Sequence, residues 1–152
     1  MRTVDRIRVH APFVRVFAAA SSVARWPSIL PHYRWVRLLD DRLVEMAAWR
    51  PFGGGLINYP TWWVSEMTID RPAGEIRYRH VRGITRGMEV VWRLVEAGEG
   101  FVDIEVVHTW DGPMWPLIGR LAADFVIGPV FIHGIASRTL AGIKRHAEDG
   151  TW

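Results

Sequence analysis

The chain has 152 residues, of which 49% are hydrophobic and 23% are charged, a composition typical of a globular protein with its own core. It contains no cysteine, which excludes disulfides, a thiolate nucleophile and a cysteine-ligated metal. The net charge is only +3, and the arginines are scattered among acidic residues instead of forming a patch, so we expect no nucleic-acid surface.

The sequence contains no candidate segment for secretion or membrane insertion. Residues 1–6 lack the apolar core of a signal peptide. The longest apolar run, Phe125 to Ala136, is interrupted by Pro129 and His133, and it is shorter than the roughly 20 residues that cross a bilayer. We therefore expect a cytoplasmic protein without a membrane span, folded as one domain over residues 1–152.

Alternating apolar and polar residues, separated by turn residues, predict seven strands. These are expected at Thr3–His10, His32–Leu39, Arg42–Arg50, Thr61–Asp70, Glu75–Arg82, Arg86–Glu96 and Val102–Trp110. Apolar spacing and prolines near the first turn predict two short helices after the first strand, one from Ala11 over Phe17 and one over Val23–Ile29. The short connections between the later strands favour an antiparallel sheet in which each strand pairs with its sequence neighbour.

The last third of the chain predicts a long helix. Apolar residues recur at spacings of three and four from Leu117 to Ile143, and about thirty residues at ~1.5 Å each would span roughly 45 Å. Pro129 lacks an amide donor, so we expect a break between segments at 116–127 and 129–147. The expected fold is therefore α+β, with a curved seven-stranded antiparallel sheet wrapped around a long C-terminal helix.

Four stretches of the chain resemble a known superfamily. They are Ala11–Phe17, Trp26–Tyr33, Met88–Leu94 and Ile135–Leu140. Together with the order of elements, they resemble the START-like superfamily, also called SRPBCC, and most closely its polyketide cyclase/dehydrase and coenzyme-Q-binding branch. The resemblance spans nearly the whole chain and implies the helix-grip fold. Members similar in this way bind lipids, quinones, polyketides or plant hormones between sheet and helix, and some catalyse cyclisation or dehydration there.

Strand alternation predicts which side chains face the long helix. In the last two strands the inward sets are Met88, Val90, Trp92 and Leu94, and Val102, Ile104, Val106, His108 and Trp110. In the fifth strand the same rule gives Ile76, Tyr78, His80 and Arg82. If the turns pair residue 82 with 86 and 96 with 102, one cross-sheet row contains Tyr78, Val90 and His108, and the next contains His80, Met88 and Trp110.

The polar inward residues are candidate catalytic groups, namely Tyr78, His80, Arg82 and His108. His108 would exchange a proton with a ligand oxygen, or it is a hydrogen-bonded core histidine. The Tyr78 hydroxyl would orient a carbonyl or phenol, or the ring belongs to the core. Arg82 would stabilise an enolate or bind a carboxylate if it points inward, and at a strand end it is otherwise solvated.

A wall of apolar and aromatic side chains is expected around these groups, since nine tryptophans exceed what a core built only for stability needs. The candidate ligand-binding residues are Met88, Val90, Trp92, Val106, His108, Trp110, Phe125 and Ile132. We expect His32 and Tyr33 at the surface near the rim, and His133 either on the cavity wall or in a groove.

Two functions compete on this reading. The first is binding of a hydrophobic small molecule in a cavity between sheet and helix, as a carrier or sensor. The second is a polyketide cyclase/dehydrase-like enzyme that uses the candidate catalytic groups for aldol cyclisation or dehydration. A third class, a protein- or ribosome-interacting module, is disfavoured by the scattered charges. We expect no metal site, because no histidine pair has ligand spacing on a helix, and no cofactor.

Overall fold

The structure is a computed structural model, and it describes residues 1–52, 56–112 and 132–151. Within those ranges the strands are β1 (Arg2–Val9), β2 (Tyr33–Leu38), β3 (Leu43–Phe52), β4 (Ile57–Asp70), β5 (Glu75–Gly83), β6 (Glu89–Glu96) and β7 (Val102–Thr109). The helices are α1 (Phe13–Ser21), α2 (Trp26–Ile29) and α3 (His133–Asp149), and a 3₁₀ turn over Val23–Arg25 leads into α2.

All seven strands belong to one antiparallel sheet with the order β1-β7-β6-β5-β4-β3-β2. From β2 to β7 each strand pairs with its sequence neighbour, as predicted. β1 completes the sheet by pairing with β7, from Arg2 opposite Thr109 to Val9 opposite Val102. The two short helices follow β1, and α3 comes last, so the predicted α+β helix-grip fold is confirmed.

α3 buries one face of its surface against β1, α1 and α2. The buried residues recur every three or four positions, as a helical stripe requires: Ala136, Thr139, Leu140, Ile143 and Ala147. Gly142 lies on the same face, and a Cβ atom there would come within 2.2 Å of the Leu30 side chain, so a glycine permits close packing against the residues after α2. The predicted segment at 116–127 and the predicted break at Pro129 lie outside the described residues.

β4 begins four residues earlier than predicted and runs through Pro60. The proline is tolerated because β5 pairs with β4 only as far as Trp63, which leaves one side of the preceding residues without a neighbouring strand. Trp49, opposite Pro60, donates its N–H to the His32 carbonyl on its other side. The Trp49–Pro60 pair is therefore not hydrogen-bonded, and the proline nitrogen faces the open side.

β6 begins at Glu89, three residues later than the predicted start at Arg86. The residues between β5 and β6 form a turn in which Gly83 and Gly87 have positive φ values of 96° and 86°. The Arg86 N–H donates to the Gly83 carbonyl, and the Met88 N–H donates to the Thr85 carbonyl. Two backbone bonds still join this segment to β5, from the His80 N–H to the Met88 carbonyl and from the Gly87 N–H to the His80 carbonyl.

Candidate functional site

The predicted register between β5, β6 and β7 is confirmed. Tyr78 lies opposite Val90, and Val90 lies opposite His108, so the three residues form one row across the sheet. On the far side of β7 the row continues to Thr3 of β1. Because side chains of one row share a face, these groups all point to the side of the sheet that α3 covers.

A cavity of about 60 Å³ lies between the inner face of the sheet and α3. Its polar lining residues are Tyr33, Arg50, Tyr78, His80, His108 and Thr139. Its apolar and aromatic lining residues include Trp26, Met46, Trp63, Ile135 and Ala136. At roughly 10–15 Å³ for each water, the enclosed space holds about four to six waters, whereas pockets for drug-sized ligands start at about 300 Å³. In this conformation the cavity accommodates one functional group or ring of a larger molecule.

Six of the eight expected ligand-binding residues line this cavity: Met88, Val90, Trp92, Val106, His108 and Ile132. Trp110 is not among the described lining residues. It is buried beyond the end of β7, where its Nε1 donates to the Arg86 carbonyl over 3.0 Å. Phe125 lies outside the described residues.

Tyr78 and His108 each carry a buried polar atom without a hydrogen-bond partner among the described residues. These atoms are the Tyr78 hydroxyl and the His108 Nδ1. Burial raises the pKa of Tyr78, so its hydroxyl stays protonated and can donate. Burial, reinforced by the charge of Arg50, lowers the pKa of His108 to about 3. At neutral pH its imidazole is therefore neutral, with one donor and one acceptor.

His80 is held in place on two sides. Its Nδ1 lies 2.7 Å from the Thr85 hydroxyl, and its ring stacks on Trp63 with 5.8 Å between ring centres. Burial lowers the pKa of His80 to about 3, and the nearby His108 and Arg50 act in the same direction. His80 is thus a fixed, neutral wall residue.

The expected inward orientation of Arg82 is wrong. A β-bulge between β4 and β5 pairs Ser65 with His80 but Val64 with Arg82, so Val81 is an additional residue. One additional residue moves the following side chain to the other face, and Arg82 is accordingly exposed. The cation that does line the cavity is Arg50 of β3.

Arg50 is only 5% exposed and contacts two neighbouring side chains. Its Nε donates to the Thr61 hydroxyl over 2.9 Å, and its guanidinium lies 5.7 Å from the Trp63 ring centre. Burial lowers the pKa of Arg50 to about 10, which leaves it charged at neutral pH. It is the only arginine or lysine among the described lining residues of the cavity.

His32 and Tyr33 are buried, contrary to the expected surface position. The His32 Nε2 lies 2.9 Å from the Thr139 hydroxyl, which itself donates to the Ile135 carbonyl over 2.8 Å. Burial, together with the positive charge of Arg138, lowers the pKa of His32 to about 4. Burial raises the pKa of Tyr33 to about 12. The two residues therefore connect β2 to α3 at one end of the cavity.

The sequence of this chain matches a known protein family. Residues 9–128, well over half of the chain, match the family described as polyketide cyclase / dehydrase and lipid transport. The chain belongs to that family. No curated protein gives a significant match.

Solved structures similar to the chain share its fold at low sequence identity. The Zhui aromatase/cyclase from Streptomyces sp. R1128 is 16% identical with a TM-score of 0.79, over 100% of this chain and 96% of the other. TTHA0849 from Thermus thermophilus is 15% identical with a TM-score of 0.78, over 100% of both chains. A START superfamily protein from Mycobacterium smegmatis is 13% identical with a TM-score of 0.72, over 97% of both chains. These likenesses establish the fold alone.

This member of the polyketide cyclase / dehydrase family also has a buried carboxylate that the sequence reading missed. Asp5 is 5% exposed on the inner face of β1, where its Oδ1 contacts the Nδ1 of His133, while its Oδ2 is buried without a hydrogen-bond partner among the described residues. Burial raises the pKa of Asp5. The His133 side chain is 64% exposed, so it lies outside the cavity wall.

The described residues of this family member contain no group of three His, Cys, Asp or Glu side chains that would hold a metal ion. None of the helices in the same ranges is long and apolar enough to cross a membrane.

Proposed function

We propose that this chain binds a hydrophobic small molecule of the lipid, quinone or polyketide type, whose polar end enters the cavity between the sheet and α3. The observation that carries the proposal is the pair of buried, unpartnered polar atoms on Tyr78 and His108, which lie in one row across the sheet. Each such atom costs about 1–3 kcal/mol unless a partner enters the site. A ligand that brings polar atoms to both side chains would satisfy them.

The size of the cavity decides how much of the ligand it takes. About 60 Å³ is too small for a whole lipid or polyketide. The walls contain Met46 and Met88, whose unbranched side chains adopt several shapes at low cost. The proposal is therefore that one ring or head group occupies the cavity, and that the rest of the molecule extends from it.

Membership in the polyketide cyclase / dehydrase and lipid transport family supports a hydrophobic ligand.

The ionisation states of the two cavity histidines favour binding over proton transfer. A general base works best when its pKa is near the working pH, and the pKa values of about 3 for His80 and His108 lie about four units below neutrality. Neutral imidazoles orient a ligand through hydrogen bonds without taking up its proton.

A cyclase or dehydrase function is the second candidate, and the buried Arg50 favours it. A buried guanidinium stabilises the negative oxygen of an enolate, which aldol chemistry forms when a base removes a proton from the carbon beside a carbonyl. In this cavity His80 or His108 would have to accept that proton. The Tyr78 hydroxyl, kept protonated by burial, would donate a hydrogen bond to the carbonyl oxygen of the group that the enolate attacks. In this mechanism Arg50 takes the role that the sequence analysis gave to Arg82.

The first experiment is native mass spectrometry of the protein purified from its own source, with identification of any retained ligand. The second is the pair of variants Tyr78→Phe and His108→Phe, with Tyr59→Phe as a matched control because Tyr59 is 55% exposed and does not line the cavity. Under the binding proposal each cavity variant weakens binding of the identified ligand about tenfold, or about 1.4 kcal/mol, and the control leaves it unchanged.

The enzyme candidate makes a different prediction for the same variants. Turnover of a test polyketide would be lost in Tyr78→Phe and in Arg50→Gln while binding survives. If Tyr78→Phe and His108→Phe both match Tyr59→Phe in ligand binding and in turnover, the cavity is not the binding site and the proposed function fails.

A further inference from the structure

A groove larger than the cavity lies on the outside of α3. It has a volume of about 710 Å³ and is bordered by α3, the segment Leu30–His32 and the paired strands β3 and β4. The cavity holds about 60 Å³, so a whole small molecule is too large for the cavity but fits the groove.

The charged residues among the described lining of the groove are all basic. Arg138 and Arg145 are seven positions apart on α3, so they lie two turns apart on the same face, and Ala141 and Gly142 between them form a low floor. Both arginines are exposed, and neither makes an ion pair with any described residue. No carboxylate is among the described residues that line the groove.

An aromatic side chain forms the opposite border. Trp49 of β3 lines the groove and is 38% exposed, unusually high for so large an apolar ring. The Arg34 guanidinium lies 4.6 Å from its ring centre, which holds the indole in place and adds a third positive charge nearby. Asn58 of β4 contributes an amide on the same side.

The floor of the groove is closely packed. Gly142 packs so closely on Leu30 that a Cβ atom would overlap it, and the His32 ring is fixed by the Thr139 hydroxyl at 2.9 Å. Thr139 lines the cavity and His32 lines the groove, so these two hydrogen-bonded side chains lie between the two spaces.

We propose that the groove is a second binding site, for a small organic anion with a flat apolar body, which places its acidic group between Arg138 and Arg145 and its ring against Trp49. Exposed guanidinium groups form paired hydrogen bonds with sulfonate, phosphate or carboxylate oxygens. The proposal does not depend on what occupies the cavity, because none of these three side chains lines it.

The test uses two probes with the same aromatic body. 1-Anilinonaphthalene-8-sulfonate carries a negative charge, and N-phenyl-1-naphthylamine is its uncharged analogue. Isothermal titration of each probe gives two dissociation constants, and their ratio measures how much the charge contributes. The double variant Arg138→Gln/Arg145→Gln should reduce that ratio about tenfold, since each exposed charge contact contributes a few-fold.

The matched control is the double variant Arg71→Gln/Arg79→Gln. It removes the same net charge from two exposed arginines that make no ion pair with described residues and do not line the groove. This control should keep the ratio of the wild type. Raising the salt concentration should weaken binding of the sulfonate to the wild type but hardly to the Arg138→Gln/Arg145→Gln variant.

A third variant tests the ring. Trp49→Leu should weaken binding of the sulfonate about fivefold, because a stacked aromatic contact is lost. The proposal is overturned if the ratio is unchanged in Arg138→Gln/Arg145→Gln, or if the control double variant reduces it equally. If Trp49→Leu binds the sulfonate as tightly as the wild type does, Trp49 is not part of the site. Each of these results leaves the Tyr78 and His108 experiment on the cavity unaffected.

Discussion

Acidification should destabilise the protein through three histidines whose pKa burial lowers, namely His32 and the two cavity-wall residues His80 and His108. The folded pKa values of His80 and His108 are about 3, well below the ordinary value of 6.5. Between those pH values the unfolded chain binds more protons than the folded one, so stability falls as the pH falls below about 6.5. For one histidine the loss between pH 7 and pH 5 is about 2 kcal/mol, and for both it is about 4 kcal/mol.

The carboxylates near this range act differently. Hydrogen bonds from arginines lower the pKa values of Glu75, Asp103 and Glu105, so their contributions are present above the ordinary carboxylate range and are lost only when the pH falls below it. Burial raises the pKa of Asp5, which acts in the opposite direction, since protonation then favours the folded state. Comparing the wild type with a variant that lacks one histidine, at both pH values, cancels the carboxylate contributions that the two proteins share.

The assay is urea unfolding at pH 7 and pH 5, on the wild type and on His108→Gln. The variant loses one titrating group, so its free energy of unfolding should change by about 2 kcal/mol less than that of the wild type between the two pH values. His146→Gln is the control, because His146 lies on the exposed end of α3 with a bond to Thr151. If His108→Gln and wild type have the same pH dependence, His108 is not buried as a neutral group and the reasoning about its role fails.

Two further pairs of substitutions test the backbone of the turn between β5 and β6 and the space in the cavity. Gly83 and Gly87 both have positive φ, but a Cβ atom on Gly83 would lie 2.4 Å from the Trp62 carbonyl oxygen while one on Gly87 meets nothing within 4 Å. Gly87→Ala should therefore cost about 1 kcal/mol and Gly83→Ala about 3 kcal/mol or more in urea unfolding, and equal costs would contradict the turn geometry. Val106 lines the cavity and Val102 does not, although both are fully buried on β7. Val106→Ile should gain about 1 kcal/mol by filling space and weaken ligand binding, whereas Val102→Ile should lose about 1–3 kcal/mol, and a loss in both would mean that the cavity is not free space.

The row of Tyr78, Val90 and His108 was predictable because it depends on two local features. Alternation assigns the faces of a strand, and short turns fix the pairing of its neighbours. Both features are visible over about thirty residues of sequence. Arg82 was misplaced because a single bulged residue reverses the alternation, and the sequence around Val81 carries no proline or other signal that would mark it.

The other groups of the site were missed for different reasons. Arg50 follows Val44, Met46 and Ala48 on the inward face of β3, so alternation alone places it inside. A charged residue at the end of a strand is ordinarily solvated, and burial of this cation becomes recognisable only when its partner Thr61 is seen beside it. The contact between Asp5 and His133 joins residues 128 positions apart, which no local pattern predicts.

The fold explains why polar groups accumulate at one end of this hydrophobic space. A sheet that curves around a helix brings the inward residues of β3, β5 and β7 toward one another, although they are far apart in the chain. Arg50, Tyr78 and His108 come from those three strands and meet at the cavity, while the intervening strands β4 and β6 line it with aromatic and apolar side chains. Because β3, β5 and β7 each lie between two hydrogen-bonded strands, these side chains can change without loss of the sheet. If the proposed function holds, ligand selectivity depends on those three positions.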